Sequence, residues 1–231
     1  MIRTLSAYRT FFREFRRQYH TTGAICPSGS GLSKALTRFV RDGKGGATGP
    51  RRILEVGPGS GPVTDQIVPA LNPEDRLDLV EINESFVAFL RGRLEREPAL
   101  KAAAAQIQIF HRPVEEMLDE PPYDLIISGL PLNNFAAADV ERILGVLKQL
   151  VKPGGRLSFF EYIAIRKMRN VVSGKKDRQR LRDIDRLLRG VLEKGEVGRQ
   201  AIWFNMPPAW VHHVDLHLDG EGLRDGSRIN P

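Results

Sequence analysis

The 231-residue sequence contains little cysteine and no long hydrophobic run. Cys26 is its single cysteine, which excludes an internal disulfide and is typical of a protein from a reducing compartment such as the cytoplasm. No stretch reaches the ~20 apolar residues that a membrane-spanning helix requires, so an integral helical membrane protein is excluded. The arginines near the N-terminus are not followed by a compact apolar segment, and we therefore expect no cleaved secretory signal.

The net charge of +7 is concentrated in two segments. Residues 1–20 carry five arginines and one glutamate, and residues 166–199 carry twelve basic and five acidic residues, whereas the rest of the chain is mildly acidic. Two basic segments on an acidic body predict contact with a polyanionic surface, either phospholipid headgroups or nucleic acid. The alternative is that these segments are solvated helix faces, partly neutralised by pairing within the helix.

Residues 2–19 have the pattern of a basic amphipathic helix. Aromatic and aliphatic residues recur at intervals of three and four, and the five arginines lie around the rest of the helix. This pattern is typical of a helix that lies in a membrane interface, although a terminal helix packed on the domain would look the same. We expect it to act as a membrane anchor, a lid over the site, or both.

From Arg52 onward, strand-like runs alternate with amphipathic helices, which predicts βαβ units in an α/β fold with a mostly parallel sheet. The predicted strands are 53–56, 77–82, 106–110, 123–128, 156–163, 199–205 and 209–217. The predicted helices are 31–41, 62–71, 84–96, 137–150 and a basic insert near 175–194. The last two strands flank Met206-Pro207-Pro208 and are expected to form an antiparallel hairpin. We predict three parts: the helix 1–20, a single domain over 21–218 with the insert at about 166–198, and a flexible tail over 219–231.

The strongest motif is Ile53-Leu-Glu-Val-Gly57-Pro-Gly59-Ser-Gly61, in which a strand enters a glycine-rich turn that opens a helix. Such a turn approaches a ligand closely and offers free N–H donors. Glu81 ends the next strand, where its carboxylate can accept both hydroxyls of a ribose. The spacing alone fits either a nicotinamide nucleotide or S-adenosylmethionine.

These residues resemble the class I S-adenosylmethionine-dependent methyltransferases. The shared pieces are Glu55-Val-Gly-Pro-Gly-Ser-Gly61, Val80-Glu-Ile-Asn83 and Lys152-Pro-Gly-Gly155. Four further pieces look like the soluble bacterial phospholipid N-methyltransferases, a branch similar to the rRNA adenine dimethylases: Gly23-Ala-Ile-Cys-Pro-Ser28, Glu81-Ile-Asn-Glu-Ser-Phe86, Ser128-Gly-Leu-Pro-Leu132 and Trp203-Phe-Asn-Met-Pro-Pro-Ala209. The resemblance implies a Rossmann-like seven-stranded sheet with helices on both faces and a C-terminal antiparallel hairpin.

The resemblance also implies a cofactor site for S-adenosylmethionine, with S-adenosylhomocysteine as the product. Glu55 and the glycines would hold the methionine part, Glu81 the ribose and Ile82 the adenine. Glu115, or the backbone near Val114, would meet the adenine edge, although Pro113 in this stretch has no N–H to offer. The positions carried over as cofactor-binding are Glu55, Gly57, Gly59, Gly61, Glu81, Ile82, Glu115, Ser128, Gly129 and Leu130.

The acceptor is expected at Ser128-Gly-Leu-Pro131, after the fourth strand. Related methyltransferases that act on exocyclic amines often have Asn at the first position of this loop and Tyr at the end, whereas this chain has Ser128 and Leu132. Without the tyrosine the loop offers no stacking surface to a flipped base, which favours a small, flexible amine such as a lipid headgroup.

The amine must lose a proton before it attacks, because its ordinary pKa is near ~10. The candidate catalytic groups are Tyr19, Tyr162 and Glu161, with His20 as a further candidate base. Tyr162 has packing as its alternative role, and Tyr19 and Tyr162 could also form an aromatic cage for a methylated cation. His212, His213 and His217 show no acidic partner pattern, and no metal site is predicted.

We therefore predict an enzyme that methylates phosphatidylethanolamine, and its mono- and dimethyl forms, toward phosphatidylcholine. It is expected in the cytoplasm, bound peripherally to the inner face of the membrane, with a monomer favoured. Nucleic acid is the less favoured partner. The alternatives are an RNA adenine N-methyltransferase and a lipid- or RNA-binding module that retains the fold without the activity.

Overall fold

The computed structural model describes residues 29–43, 49–163, 175–205 and 207–218, with the backbone alone at 175–177. Within these ranges seven strands form one sheet with the spatial order β3-β2-β1-β4-β5-β7-β6. The strands are β1 Arg52–Val56, β2 Arg76–Val80, β3 Ile107–Phe110, β4 Tyr123–Ser128, β5 Val151–Tyr162, β6 Glu196–Ile202 and β7 Ala209–Val214. Strands β1 to β5 pair in parallel, and β7 is antiparallel to both β5 and β6.

Helices cover both faces of the sheet. In chain order they are α1 Ser30–Leu36, α2 Arg38–Arg41, α3 Thr64–Ile67, α4 Glu84–Arg96, α5 Pro98–Ala102, α6 Ala137–Leu150 and α7 Lys175–Gly195. Short 3-10 turns occur at Val68–Ala70, Ala104–Gln106, Val114–Met117 and Leu132–Asn134. The predicted fold class is therefore confirmed, hairpin included. No helix of the described segments combines the length and apolar character needed to cross a bilayer.

The two hydrophobic cores explain why the central strands are buried on both faces. Consecutive side chains of a strand point to opposite faces, and a parallel strand covered on both sides buries all of them. In β4, Ile126 packs in the core beneath α6 and α7, whereas its neighbour Ile127 packs in the core beneath α1 and α3. The sheet is thereby held between two helical layers, with its carboxyl edge left for a ligand.

Asn83, the residue before helix α4, caps the start of this helix. The Asn83 Oδ1 accepts hydrogen bonds from the backbone N–H groups of Ser85 (2.9 Å) and Phe86 (3.3 Å), which satisfies donors that a helix N-terminus leaves open. The cap fixes the chain immediately after Glu81, so the helix start also sets the position of that carboxylate. The bounds predicted for this helix, 84–96, are confirmed.

Several predicted bounds differ from the structure. Strand β2 ends at Val80 instead of residue 82, and β7 ends at Val214 instead of residue 217. Strand β6 ends at Ile202 because Trp203–Asn205 form the hairpin turn. The short helix α5 was not predicted. The predicted helix 1–20, with Tyr19 and His20, lies outside the described residues, as do Cys26 and the tail 219–231.

Candidate cofactor and acceptor site

Backbone hydrogen bonds join the loops at the carboxyl edge of the sheet. The Gly57 N–H donates to the Val80 carbonyl (2.9 Å), and the Gly129 N–H donates to the Val56 carbonyl (2.8 Å). The Glu81 N–H donates to the Phe110 carbonyl (3.0 Å) in the same way. These bonds extend the strand pairing beyond the strand ends, so the loops after β1, β2 and β4 form one continuous rim.

The turn after β1 and the turn after β4 are in close contact at two glycines. Gly57 has a φ of +69°, a conformation that residues with a side chain rarely adopt. A Cβ atom on Gly129 would lie 2.7 Å from the Gly57 carbonyl oxygen, a backbone atom that cannot rotate away. Both predicted glycines are therefore required by the geometry of this rim, independently of any ligand.

A cleft of about 300 Å³ opens at this rim. Its lining comprises Val56, Gly57, Val80, Glu81, Ile82, Arg112, Pro113, Val114 and Leu130. Gly57, Glu81, Ile82 and Leu130 are thus brought together as the sequence predicted. Arg112 and Pro113 were not predicted as lining residues. The Arg112 guanidinium lies over the Phe110 ring (4.6 Å) and pairs with Glu120 (2.7 Å), which fixes that wall.

Glu81 is a buried carboxylate held by backbone donors. Its Oε2 accepts from the Gly59 N–H (3.1 Å) and its Oε1 from the Asn83 N–H (2.8 Å). Burial raises the pKa of Glu81, while these N–H groups lower it and only partly compensate. Each carboxylate oxygen has a second lone pair, so Glu81 can still accept two hydroxyl groups from a ligand in the cleft.

Glu55 lies on the other side of the glycine turn and is fully buried. Its Oε2 accepts from the Thr64 hydroxyl (2.7 Å), a partner that the sequence did not reveal, and its Oε1 has no hydrogen-bond partner among the described residues. Burial raises the pKa of Glu55 to about 8, and the Thr64 contact offsets only part of this effect. A buried acceptor without a donor indicates a group that a ligand would complete.

Arg93 of α4 supports the glycine turn, a role that was not predicted from the sequence. Its Nη1 donates to the Ser60 carbonyl (2.9 Å), while Nη2 pairs with Asp65 (2.7 Å) and Glu97 (2.6 Å). The guanidinium also lies directly against Gly61, where a Cβ atom would collide with it. Gly61 is therefore placed against α4, and Gly59 presents its N–H to Glu81.

Glu115 is placed differently from the other candidates. The 3-10 turn Val114–Met117 directs its carboxylate to the Arg142 guanidinium of α6 (3.1 Å), and Glu115 is not among the residues lining the cleft. Val114 does line it, so of the two sequence-based options for the adenine edge the structure brings only Val114 to the site. Ser128 is fully buried, and its Oγ accepts a long hydrogen bond from the Leu130 N–H (3.4 Å) within the same turn.

Glu161 and Tyr162, the catalytic candidates at the end of β5, point to opposite faces because they are consecutive in a strand. The Glu161 carboxylate lies 3.5 Å from the Nε2 atom of His212. The Nδ1 atom of the same imidazole contacts the Glu196 carboxylate at 2.7 Å. Burial lowers the pKa of His212, but the two carboxylates outweigh it and raise the pKa above its usual value. The expectation that the late histidines lack acidic partners is therefore wrong. Strand pairing supplies those partners from β5 and β6.

Tyr162 packs against Phe160 in a T-shaped contact with ring centroids 5.1 Å apart. It belongs to the core beneath α1, and neither Tyr162 nor Glu161 lines the cleft. His213, next to His212, faces that same core, where its Nδ1 meets the Ser158 hydroxyl (2.7 Å) and burial lowers its pKa to about 4. Across the described residues, no three His, Cys, Asp or Glu side chains are grouped so as to hold a metal ion.

The basic helix α7 is attached to the acceptor loop. The Arg180 Nη1 donates to the carbonyl oxygens of Asn133 (2.9 Å) and Phe135 (2.7 Å), just beyond Ser128-Gly-Leu-Pro131. The predicted pairing within the helix is confirmed by Arg186 with Asp183 (3.3 Å) and Arg189 with Asp185 (2.8 Å). The first turns of α7 therefore lie at the same rim as the cleft.

The residues at the rim fit S-adenosylmethionine. Ile82, Val114 and Leu130 provide apolar walls for a flat base, and the Glu81 carboxylate has lone pairs for ribose hydroxyls. Glu55 is buried against Thr64 and is not among the residues that line the cleft.

Comparison with known proteins supports this assignment. Residues 54–157 match the family described as "Methyltransferase domain". The O-methyltransferase TomG from Streptomyces achromogenes, solved in complex with SAM, superposes with a TM-score of 0.58 at 16% identity, over 83% of this chain and 81% of that one. At this level of identity the likeness concerns the fold. The described residues have the fold of the class I S-adenosylmethionine-dependent methyltransferases, and the match to a methyltransferase domain covers residues 54–157.

Two curated proteins are similar to part of this chain. The chain is 23% identical over 145 residues to an ornithine lipid N-methyltransferase from Singulisphaera acidiphila, covering 63% of this chain and 72% of the relative. It is 32% identical over 138 residues to the polyketide synthase-like protein Preu9 from Preussia isomera, covering 57% of this chain. The match spans only 6% of the length of Preu9. The family match and the TomG complex agree with the predicted cofactor, S-adenosylmethionine.

Proposed function

We propose that this protein transfers methyl groups from S-adenosylmethionine to the amine of phosphatidylethanolamine, at the surface of an anionic membrane. The observation that carries the proposal is the attachment of α7 to the acceptor loop through Arg180. This contact puts a basic helix beside the cleft, where an acceptor with a phosphate group would enter. The similarity to a relative named as a lipid N-methyltransferase supports the same acceptor class.

The shape of the acceptor loop also supports a flexible amine. Leu130 and Leu132 are buried, so the loop presents a short apolar turn and no ring on which a nucleobase would stack. The nearby Phe135 is buried as well. An aliphatic amine on a flexible headgroup needs no such surface.

When bound, S-adenosylmethionine supplies a methyl group on a positively charged sulfur. Glu81 and the wall formed by Ile82 and Val114 orient the nucleoside, and Glu55 holds the methionine part. The rigid rim around Gly57 and Gly129 fixes the distance between the two ligands, and such alignment supplies a large part of the rate of a bimolecular transfer.

The amine must be neutral when it attacks, and a position beside a cation favours the neutral form. We propose Glu161 as the group that takes the proton, because its carboxylate ends β5 at the same edge of the sheet. His212 lies 3.5 Å behind it and helps to hold it in place. Tyr162 and Tyr19 remain candidates for contact with the methylated product.

We further propose that the protein works at the inner face of the cytoplasmic membrane, because its basic segments complement the negative potential of that leaflet. The direct test incubates the protein with labelled S-adenosylmethionine and phosphatidylethanolamine vesicles, with structured RNA in a parallel reaction. We expect label in the lipid, and none with Glu81→Gln, which retains the shape of the side chain but replaces one acceptor by a donor. Label in RNA alone would contradict the proposal.

A further inference from the structure

The turn between β6 and β7 exposes two large aromatic side chains. Trp203 is 63% exposed and Phe204 is fully exposed, whereas most large apolar side chains of the described segments are buried. Exposed aromatic residues at one place on a surface indicate a contact with another body. No packing requirement of the fold explains them, since Phe204 contributes nothing to either core.

This turn lies at the same edge of the sheet as the cleft. Ala209, which begins β7, is paired with Tyr162 at the end of β5. Because β5 runs parallel to β4 and β1, its end belongs to the edge where the loops after those strands form the rim. The aromatic turn and the acceptor loop therefore face the same side of the molecule.

The turn is held in a defined shape. The Asn205 Oδ1 accepts from the Gly29 N–H (3.0 Å), and its Nδ2 donates to the Pro207 carbonyl (2.7 Å). Trp203 packs edge-to-face on Trp210 with ring centroids 6.3 Å apart. The Arg199 guanidinium lies over the Trp210 ring, 5.1 Å from its centroid. These contacts keep the aromatic side chains extended from the surface.

Basic residues accompany the turn at this edge. Arg178 and Arg182 are exposed in the first turns of α7, which Arg180 anchors to the acceptor loop. Positive charge at the same edge of the sheet as exposed Trp and Phe matches a membrane interface, where indole and phenyl rings enter the headgroup region and arginines contact phosphates. Single-stranded nucleic acid also stacks on aromatic rings, but it does so in a basic groove, whereas this turn projects outward.

We propose that the turn Trp203–Phe204 enters the interface of an anionic phospholipid bilayer and, with Arg178 and Arg182, orients the cleft toward the lipid. The inference rests on the proposed function for its choice of partner. It adds a docking element in the described domain, separate from the predicted N-terminal helix. Headgroups would then reach the acceptor loop without leaving the membrane.

The two tryptophans of the chain make the proposal measurable by fluorescence. In Trp210→Phe, Trp203 is the single reporter, and we expect a blue shift and quenching on vesicles of phosphatidylethanolamine and phosphatidylglycerol with brominated acyl chains. Vesicles of phosphatidylcholine alone should give a weaker response. Emission that stays at the position of water-exposed tryptophan on vesicles that bind the protein would overturn the proposal, as would a shift with single-stranded RNA alone.

The double variant Trp203→Ser/Phe204→Ser should reduce the vesicle partition coefficient by about tenfold or more, since burial of one phenyl side chain is worth about that factor. Phe89→Ser, which removes a half-exposed phenylalanine from α4, is the matched control and should bind like the wild type. If the double variant does not fold, Phe204→Ser alone serves, because this side chain has no buried contacts to lose. Equal binding by the variant and the wild type would overturn the docking surface.

The outcomes separate this inference from the proposed function. A protein that inserts Trp203 but labels no lipid would retain the docking surface and refute the activity. A protein that labels phosphatidylethanolamine while the variant lacking both aromatics binds vesicles normally would retain the activity and refute the docking surface.

Discussion

Two pairs of glutamates on different strands of the sheet have different kinds of partner. Glu55 and Glu81, at the ends of β1 and β2, have hydroxyl and backbone N–H partners but no cation, and one Glu55 oxygen has no partner among the described residues. Glu161 and Glu196, on β5 and β6, share the imidazole of His212. The first pair has no cationic partner, whereas the second pair has one, the His212 imidazole. We propose that the first pair contacts the ligand and that Glu161 of the second pair takes the proton.

The largest effect is expected from Gly129→Ala, which places a Cβ atom against the Gly57 carbonyl. Overpacking of this kind costs about 1–3 kcal/mol, and here it would also separate the two turns that form the rim. We expect S-adenosylmethionine affinity, measured by calorimetry, to fall by at least about tenfold.

Gly145→Ala in α6 is the matched control, because nothing lies within 4 Å of the added atom. It should leave affinity unchanged and stabilise the helix by about 0.5–1 kcal/mol. Normal affinity in Gly129→Ala would show that the rim does not control the cofactor site.

Glu55 should make the stability of the ligand-free protein depend on pH. Its folded pKa of about 8 lies above the usual value of 4.5, so between these values the folded state keeps a proton that the unfolded state releases. The free energy of unfolding should therefore fall as pH rises through this range. Urea denaturation at about pH 5 and about pH 8 measures the slope, which Glu55→Gln should reduce.

The same carboxyl should respond to the ligand. A cationic ligand group beside Glu55 favours its ionised form, so S-adenosylmethionine binding near neutral pH should release a proton. Calorimetry in buffers with different ionisation enthalpies detects such a release. Two results would contradict this contact: binding without proton release, and the same dependence of the free energy of unfolding on pH in Glu55→Gln as in the wild type. The charged group of the ligand would then not lie beside Glu55.

A comparison of Glu161→Gln with Glu196→Gln tests whether Glu161 acts in catalysis or only helps to hold His212. Both substitutions weaken a contact with the imidazole, but only Glu161 ends the strand at the acceptor edge. We expect a decrease in kcat of about 10²-fold or more for Glu161→Gln and a much smaller one for Glu196→Gln. Equal decreases would make Glu161 a positioning residue that acts through His212.

The smallest effect is expected from Tyr162→Phe. The ring retains its T-shaped contact with Phe160, so the free energy of unfolding should change by no more than about 1 kcal/mol, the contribution of one hydrogen bond. Because Tyr162 packs in the core beneath α1, we expect kcat to change little as well. A large loss of kcat with intact stability would show that the hydroxyl participates in catalysis.

The sequence predicted the elements whose signals are local. Helices α4 and α6 and strand β4 have the predicted bounds, because an apolar period of 3.6 or a continuous apolar run ends at clear caps and turns. Glu81 and the glycines could be assigned because their roles depend on one strand, one turn and one helix start.

What the sequence did not reveal depends on contacts between distant elements. The His212 carboxylates come from β5 and β6, and only the register of the hairpin brings them together. Glu115 follows a strand, as a cofactor contact would, but a 3-10 turn directs it to Arg142. Trp203 was predicted within a strand, and the early end of β6 turns it out to solvent instead.

We propose that the cleft at the carboxyl edge of the sheet, beside Glu81, serves methylation of a lipid amine. The most direct measurement is mass spectrometry of phospholipids after incubation of phosphatidylethanolamine and phosphatidylglycerol vesicles with the protein and S-adenosylmethionine. The account predicts headgroups that gain one or more methyl groups, and none with Glu81→Gln. Unmodified lipid in the presence of protein that binds both S-adenosylmethionine and the vesicles would contradict it.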